Sequence, residues 1–404
     1  MTISVLTLLI SCGGSRVAPD PGTEITEHAK PIVLTKAESD INKSSNDFGF
    51  KLLQTLWENE KGTSLFISPL SASLALSMTA GGAEAETLEQ MQTTLGVGGY
   101  SVSEMGDYYK KMVSALLSVD PNTTFEVANA IWTDYSISLK SDYIDFAKNY
   151  YHSEINSDNL SSPATVQKIN AWCAANTHDK ITKILDDPVA GLKMILLNAL
   201  YFKGSWQFKF TRTDKRDFTS YSGKHAQLDM MHYTGDIVSG IRDGLKAISL
   251  PYGNGAFSML VILPEGDLTI DKAIASLSSE SLAKLEGSMY EREVILSLPK
   301  FKMEYERSFK DPLMALGMTR AFTPSAQFPG ISNSSLMIDE VKQKTFVDVN
   351  ETGTEAAAVT AVYAKLTSVG PGAQPFEFNA NRPFIFAIRE SSTGAILFIG
   401  AKTQ

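Results

Sequence analysis

The chain has 404 residues, of which 43% are hydrophobic and 20% charged, and its formal net charge at pH 7 is −9. This composition predicts a folded protein with a sizeable core rather than a disordered chain. The acidic balance argues against a nucleic-acid partner, because binding to phosphates needs clustered Lys and Arg. Cys12 and Cys173 are the two cysteines, so a disulfide framework is not expected and stability must come from packing.

An apolar run at residues 3–10 is too short to span a membrane and is typical of a signal-peptide core. It ends in Leu9-Ile10-Ser11-Cys12, which resembles a bacterial lipobox, where cleavage before the cysteine leaves its thiol to be diacylated. No Lys or Arg precedes the run, which departs from the usual signal pattern. We predict a signal peptide over residues 1–11 and a lipid anchor at Cys12, with an ordinary cleaved signal as the alternative.

Residues 12–44 have the composition of a linker. Glycine and proline recur there without a sustained apolar period, so we predict a lipidation site at Cys12 followed by a flexible tether. From Asn46 onward, apolar residues recur at three- and four-residue spacing, which predicts the first helix. No second linker or internal repeat follows, so residues 45–404 are predicted to form one domain.

The remaining chain predicts an α+β fold, because helical patterns dominate early and strand patterns late. A helix is expected over residues 70–80, where small and apolar residues end at two glycines. A hairpin is expected from residues 383–389 and 395–401. Further strands are predicted where β-branched, aromatic and large aliphatic residues cluster, at residues 125–132, 194–202, 257–263, 294–298 and 345–349.

No enzymatic motif is visible. A hydrolase needs a nucleophile beside a base, and a metal site needs grouped ligands. The sequence contains no metalloprotease, nucleophile-elbow or phosphate-loop signature. We therefore predict a protein that is not an enzyme, with no cofactor and no metal, and Cys173 as a buried thiol. The five histidines, His28, His152, His178, His225 and His232, show no metal-ligand spacing, and His225 and His232 are predicted to be structural or surface residues.

The informative segment is residues 351–361, where small side chains follow directly on a predicted strand. With a period of two, Thr354, Ala356 and Ala358 share one face, whereas Glu355 lies on the other. Such a segment could enter a sheet with its uncharged face inward, because small side chains displace little of a packed core. It is therefore predicted to be a latent strand.

Residues 351–358, ETGTEAAA, resemble the hinge of inhibitory serpins, and residues 378–386, FNANRPFIF, resemble the serpin signature. Further matches at residues 46–48, 66–71, 198–206, 298–301 and 346–350 extend the resemblance over about residues 45–404. The resemblance implies about nine helices and three β-sheets with an exposed reactive-centre loop. The hinge implied by it consists of Glu351, Gly353, Thr354, Glu355, Ala356, Ala357 and Ala358.

By the same resemblance, two clusters would control the opening of the main sheet. The first, called the shutter, would lie under the opening strands, and the second, called the breach, would lie where insertion begins. Many family members carry a histidine near position 343, whereas this chain has glutamine, which cannot become cationic. The shutter residues are Ser68, Ser71, Asn198 and Gln343, and the breach residues are Trp206, Lys300 and Glu351.

Family spacing from Glu351 places the reactive bond between Thr367 and Ser368. The stretch from residue 368 to 376 is longer than the family pattern, so neighbouring bonds stay open as alternatives. Because the primary pocket of a protease reads one side chain, each candidate suits a different protease class. The alternative residues before the bond are Tyr363, Lys365 and Leu366.

Taken as a serpin of bacterial type, the chain is expected to act as a monomer that traps serine proteases, with cysteine proteases as alternative targets. It is expected to be exported, either as a cell-envelope lipoprotein held by its lipid anchor or as a secreted protein. A non-inhibitory serpin that carries a ligand is the second hypothesis. The hinge argues against it, because Glu355 is the one charged residue among residues 354–361.

Overall fold

The computed structural model describes residues 29–188, 191–354 and 374–404. These residues form nine α-helices, as the family resemblance implies, and one short 3₁₀ turn at Arg320–Phe322. The helices are α1 (Lys36–Asn59), α2 (Pro69–Ala80), α3 (Ala85–Leu95), α4 (Val102–Leu116), α5 (Ser141–Tyr151), α6 (Pro163–Ala175), α7 (Ile270–Ala275), α8 (Ser279–Glu286) and α9 (Lys310–Ala315).

Fifteen strands complete the described part, and they include every strand predicted from the sequence, most with longer bounds. They are β1 (Leu65–Ile67), β2 (Thr124–Asp134), β3 (Glu154–Asp158), β4 (Met194–Ser205), β5 (Arg212–Thr219), β6 (His225–Arg242), β7 (Leu245–Tyr252), β8 (Phe257–Pro264), β9 (Tyr290–Pro299), β10 (Phe301–Ser308), β11 (Glu340–Asn350), β12 (Gly353–Thr354), β13 (Phe376–Asn379), β14 (Phe384–Glu390) and β15 (Ile396–Lys402).

The strands of the described part form two hydrogen-bonded sheets rather than the three that the resemblance implies. The six-stranded sheet has the order β10-β11-β12-β4-β2-β3, and β11 also pairs with β4. The nine-stranded sheet has the order β1-β15-β14-β8-β7-β6-β9-β13, with β5 paired to β6. Strand β6 is 18 residues long and pairs with β5 over residues 225–232, with β9 over residues 230–239 and with β7 over residues 238–242. This shared strand joins what would otherwise be two sheets.

Helix α2 is buried along its whole length between the sheets and the other helices. Its residues are small or apolar, which suits a helix covered on all sides. Ser68 caps it by accepting a hydrogen bond from the backbone N–H of Ser71, and Pro69 occupies the first turn. The predicted helix over residues 70–80 is thus confirmed, and it places Ser68 and Ser71 in the centre of the molecule.

The folded chain begins earlier than the sequence pattern predicts. Helix α1 starts at Lys36, where Thr35 and Glu38 form a reciprocal capping box. Ahead of it, the backbone N–H of Ile32 donates to Ser392 Oγ at 3.0 Å. Residues 36–44 therefore belong to α1 and not to the predicted tether, which was expected to end at residue 44, ahead of a domain start at residue 45. The capping box lies ahead of the apolar period on which that prediction was based.

The predicted signal peptide over residues 1–11 and the anchor at Cys12 lie outside the described residues. Within the described ranges, no helix combines the length and the apolar character needed to cross a membrane.

Candidate functional site

The centre of the six-stranded sheet is only partly paired. Strands β11 and β4 run parallel and pair over Glu340–Gln343 and Ile195–Asn198. Further along, β12 lies between them, with Thr354 opposite both Val349 and Gly204. Between these two ends, residues 344–348 of β11 and residues 199–203 of β4 are not paired with each other in the described part of the chain. We call this gap the slot.

The predicted hinge starts inside the sheet. Gly353 has φ = 152°, and a Cβ at this position would collide with the carbonyl oxygen of Gly204, so the close approach requires glycine. Thr354 is 2% exposed and its Oγ1 lies 2.6 Å from the hydroxyl of Tyr252. The face that the sequence pattern assigned to Thr354 is thus the inward face. The other predicted hinge residues, Glu355, Ala356, Ala357 and Ala358, lie outside the described residues.

The residues predicted for the breach surround the seated hinge. Trp206 Nε1 donates to the carbonyl oxygen of Asn350 at 2.9 Å, and the Trp206 backbone N–H donates to Thr352 O at 3.1 Å. Lys300 Nζ lies 3.0 Å from Glu351 Oε2. These contacts hold the turn between β11 and β12 from both sides, which places the three predicted breach residues at one site.

Glu351 is held in its ionised form. Its Oε1 accepts a hydrogen bond of 2.7 Å from Thr213 Oγ1, opposite the ion pair with Lys300. Partial burial by itself would raise the pKa of Glu351, but the hydrogen bonds from Thr213 and Lys300 outweigh it and hold the pKa below its ordinary value. The turn therefore carries a fixed negative charge at neutral pH.

The residues predicted for the shutter meet where β11 and β4 first pair. The amide of Gln343 accepts from the Ser68 backbone N–H at 2.8 Å and donates to Ser68 O and Ser71 Oγ at 3.0 and 3.1 Å. Ser68 Oγ in turn donates to Leu397 O at 2.6 Å. Asn198 lies opposite Gln343 in the strand register. Gln343 thus links the six-stranded sheet to the start of helix α2, and Ser68 extends this link to β15.

Replacing Gln343 by Leu should lower the free energy of unfolding by about 2 kcal/mol, because the buried Ser68 N–H would lose its hydrogen-bond partner and the Ser68 carbonyl would keep only the N–H of Ala72. Urea unfolding followed by circular dichroism measures this change. Thr93→Leu, at an exposed position of helix α3, is the control for an added leucine at a site away from the sheet. An unchanged midpoint for Gln343→Leu would show that the shutter contacts contribute no net stability.

Sequence reasoning missed a segment that crosses the slot on the outer face. His178 Nε2 lies 2.9 Å from Glu126 Oε2, and its ring lies 4.4 Å from that of Tyr201 on β4. Lys180 Nζ lies 5.7 Å from the ring centre of Phe346 on β11. Residues 178–180 therefore contact both sides of the slot. No sequence motif marks these residues. In the structure, His178 has a positive φ of 48°, which is rare outside glycine.

Three further predictions concern the thiol of Cys173, metal binding and the reactive bond. Cys173 lies on the buried face of α6, and burial raises the pKa of its thiol to about 12, as expected of a structural cysteine. Among the described residues, no three His, Cys, Asp or Glu side chains are grouped so as to hold a metal ion. The predicted reactive bond between Thr367 and Ser368, and its alternatives Tyr363, Lys365 and Leu366, lie outside the described residues.

Gly353 and Thr354 thus lie between two central strands of the six-stranded sheet that are not paired with each other immediately beyond them. Comparison with known proteins identifies the family. The family model "Serpin (serine protease inhibitor)" matches residues 43–404, so the chain belongs to the serpin family. It is 35% identical to Iripin-3 of Ixodes ricinus over 393 residues, covering 93% of this chain and 98% of that protein.

Solved structures agree with this assignment. The native state of tengpin, a thermophilic serpin, superposes with a TM-score of 0.83 at 30% identity and covers 94% of this chain and 97% of tengpin. Human thyroxine-binding globulin in complex with its hormone also gives a TM-score of 0.83, over 90% of this chain and 98% of that protein. At 24% identity, the second likeness shows the fold alone.

Proposed function

We propose that this chain inhibits serine proteases by offering its reactive loop as a substrate and inserting the cut loop into the slot. The observation that carries the proposal is the seated hinge: Thr354 already occupies the first inward position between β11 and β4. Serpins are mostly protease inhibitors rather than enzymes, which supports this function for a member with such a hinge.

The register of β12 indicates where further insertion would go. A strand that continued beyond Thr354 would place Glu355 opposite Asp348 and Lys203, and residues 355–359 would fill the five positions of the slot. Residue 360 would then meet Gln343 and Asn198, where β11 and β4 are paired. The shutter is thus the first point at which an inserting strand must separate existing strands.

The alternation of faces fits the side chains available. With Thr354 inward, Ala356, Ala358 and Thr360 would also face the core, and Glu355 would face outward beside Lys203. Small inward residues need little displacement of the packed core. The chain could therefore form a new central strand without burying a charge.

Insertion would trap a protease between two steps of its own reaction. The protease serine attacks the carbonyl carbon of the residue before the cut bond, and the new amino terminus leaves as the peptide bond breaks. Insertion then carries the acylated enzyme with the loop before water can hydrolyse the ester. Loop insertion in serpins is a known release of stored strain. We propose that the protease cuts the peptide bond between Thr367 and Ser368. The alternative residues before the cut bond are Tyr363, Lys365 and Leu366.

Trapping is tested by incubating the protein with a panel of serine and cysteine proteases and examining the products by SDS gel electrophoresis. We expect a complex that survives SDS, with sequencing of the released peptide identifying the cut bond. A protease whose catalytic serine is replaced by alanine is the control, since it can bind but cannot form the ester. Rapid cleavage by every protease without any stable complex would favour a carrier serpin, a role exemplified by thyroxine-binding globulin.

We further propose that the protein is exported from a bacterial cell and anchored by lipid at Cys12. Two acyl chains hold a protein on a membrane where one is marginal. The wild type expressed in a bacterial host should fractionate with membranes and incorporate radioactive palmitate, whereas Cys12→Ser should do neither. Cys173→Ser is the matched control, because Cys173 is buried. A soluble wild type without label would leave an ordinary secreted serpin.

A further inference from the structure

The hydroxyl of Tyr252 bonds the first seated hinge residue. Tyr252 ends strand β7 of the nine-stranded sheet, is fully buried, and lies 2.6 Å from Thr354 Oγ1 of the six-stranded sheet. The two residues are 102 positions apart in the chain. This bond therefore connects the hinge in the six-stranded sheet to the nine-stranded sheet.

We propose that Tyr252 is a positioning residue for loop insertion, whose hydroxyl holds Thr354 between β11 and β4 so that insertion starts from a strand already begun. This role rests on the proposed function, but the bond itself can be tested in the uncut protein. We call the pair of hydroxyls the hinge latch.

The surroundings of Tyr252 fix its hydroxyl in place. Its ring stacks on Trp206 at 4.4 Å between centroids and meets the ring of Phe202 edge-on at 5.1 Å. The next residue, Gly253, donates its backbone N–H to Ser205 O at 2.9 Å. Since Trp206 also bonds the turn before the hinge, Tyr252 belongs to one rigid unit with the breach.

Movement of Thr354 out of the slot is expected to be energetically unfavourable. If the hinge moved out, the Tyr252 hydroxyl would be left in an apolar, aromatic site, where an unpaired polar group is disfavoured. Burial raises the pKa of Tyr252 well above its ordinary value, so the hydroxyl keeps its proton and can donate. The latch thus favours the seated hinge over an expelled one.

The test uses hydrogen exchange of the backbone amides of Gly353 and Thr354 in the full, uncut protein. Tyr252→Phe and Thr354→Val each remove one hydroxyl and keep the shape, leaving the other hydroxyl buried and unpaired. We expect exchange at these amides to become about tenfold faster in each single variant. In the double variant both hydroxyls are absent, so protection should return toward that of the wild type.

Tyr108→Phe is the matched control. Its hydroxyl donates a buried hydrogen bond of 2.8 Å to Asn42 Oδ1, which joins helix α4 to helix α1 and involves no residue of the hinge. A general loss of stability would appear in this variant as well, whereas faster exchange confined to Gly353 and Thr354 identifies the latch. Unchanged exchange at the hinge in Tyr252→Phe, or losses in the double variant that simply add, would overturn the proposal.

Trapping gives a second measurement that separates this inference from the proposed function. If the wild type traps a protease, the number of loops cut per protease trapped should rise in each single variant and fall again in the double variant. If the wild type traps none, the proposed function fails, and the exchange pattern alone decides whether the latch exists.

Discussion

Replacing Thr354 by Arg should convert the protein from an inhibitor into a substrate. The Thr354 side chain is 2% exposed and lies against the Tyr252 hydroxyl, so a guanidinium group at this position would be buried without a partner for its charge. The hinge would be expelled and the cut loop could not enter the slot. We expect cleavage by the target protease to continue while SDS-stable complexes fall by at least about 100-fold, as expected for a penalty above ~3 kcal/mol.

Thr352→Arg is the matched control for this prediction. Thr352 lies two residues earlier on the exposed side of the turn, so the same side chain can remain in water there. Its complexes should form in nearly wild-type yield. Equal trapping by Thr354→Arg and the wild type would contradict the insertion mechanism, because the inward position of Thr354 is its starting point.

Cutting the reactive loop should raise the melting temperature by about 20 °C. A strand added in the slot would pair with residues 344–348 on one side and residues 199–203 on the other, through about ten new backbone hydrogen bonds, each worth ~1 kcal/mol net. A gain of ~10 kcal/mol shifts the melting temperature by about 2 °C per kcal/mol in a protein of this size. Differential scanning calorimetry before and after limited proteolysis measures the shift.

The cleaved Thr354→Arg variant provides the comparison. Its loop would be cut at the same bond but could not insert, so its melting temperature should stay near that of the uncut variant. A wild type with an unchanged melting temperature after cleavage would instead favour a carrier serpin, whose loop stays outside the sheet.

The sequence by itself determined the class of fold, the main elements and the candidate site residues. The nearly continuous apolar run at residues 194–202 predicted β4, because a strand covered on both faces leaves that pattern in its residues. The β-branched and aromatic residues at 345–349 predicted β11. The small residues from Thr354 to Ala358 likewise predicted a latent strand. These patterns involve residues that are close together in the chain, so they can be recognised in the sequence without knowledge of the tertiary structure.

The tertiary structure alone decided which distant residues meet. That Thr354 is already seated, that Tyr252 bonds it and that Gln343 links the sheet to Ser68 depend on contacts 102 and 275 positions apart in the chain. No periodicity encodes such pairs, because they arise from the packing of one sheet on another. The start of α1 at Lys36 is the opposite case: its capping box is local, but its signal is two polar residues rather than an apolar period.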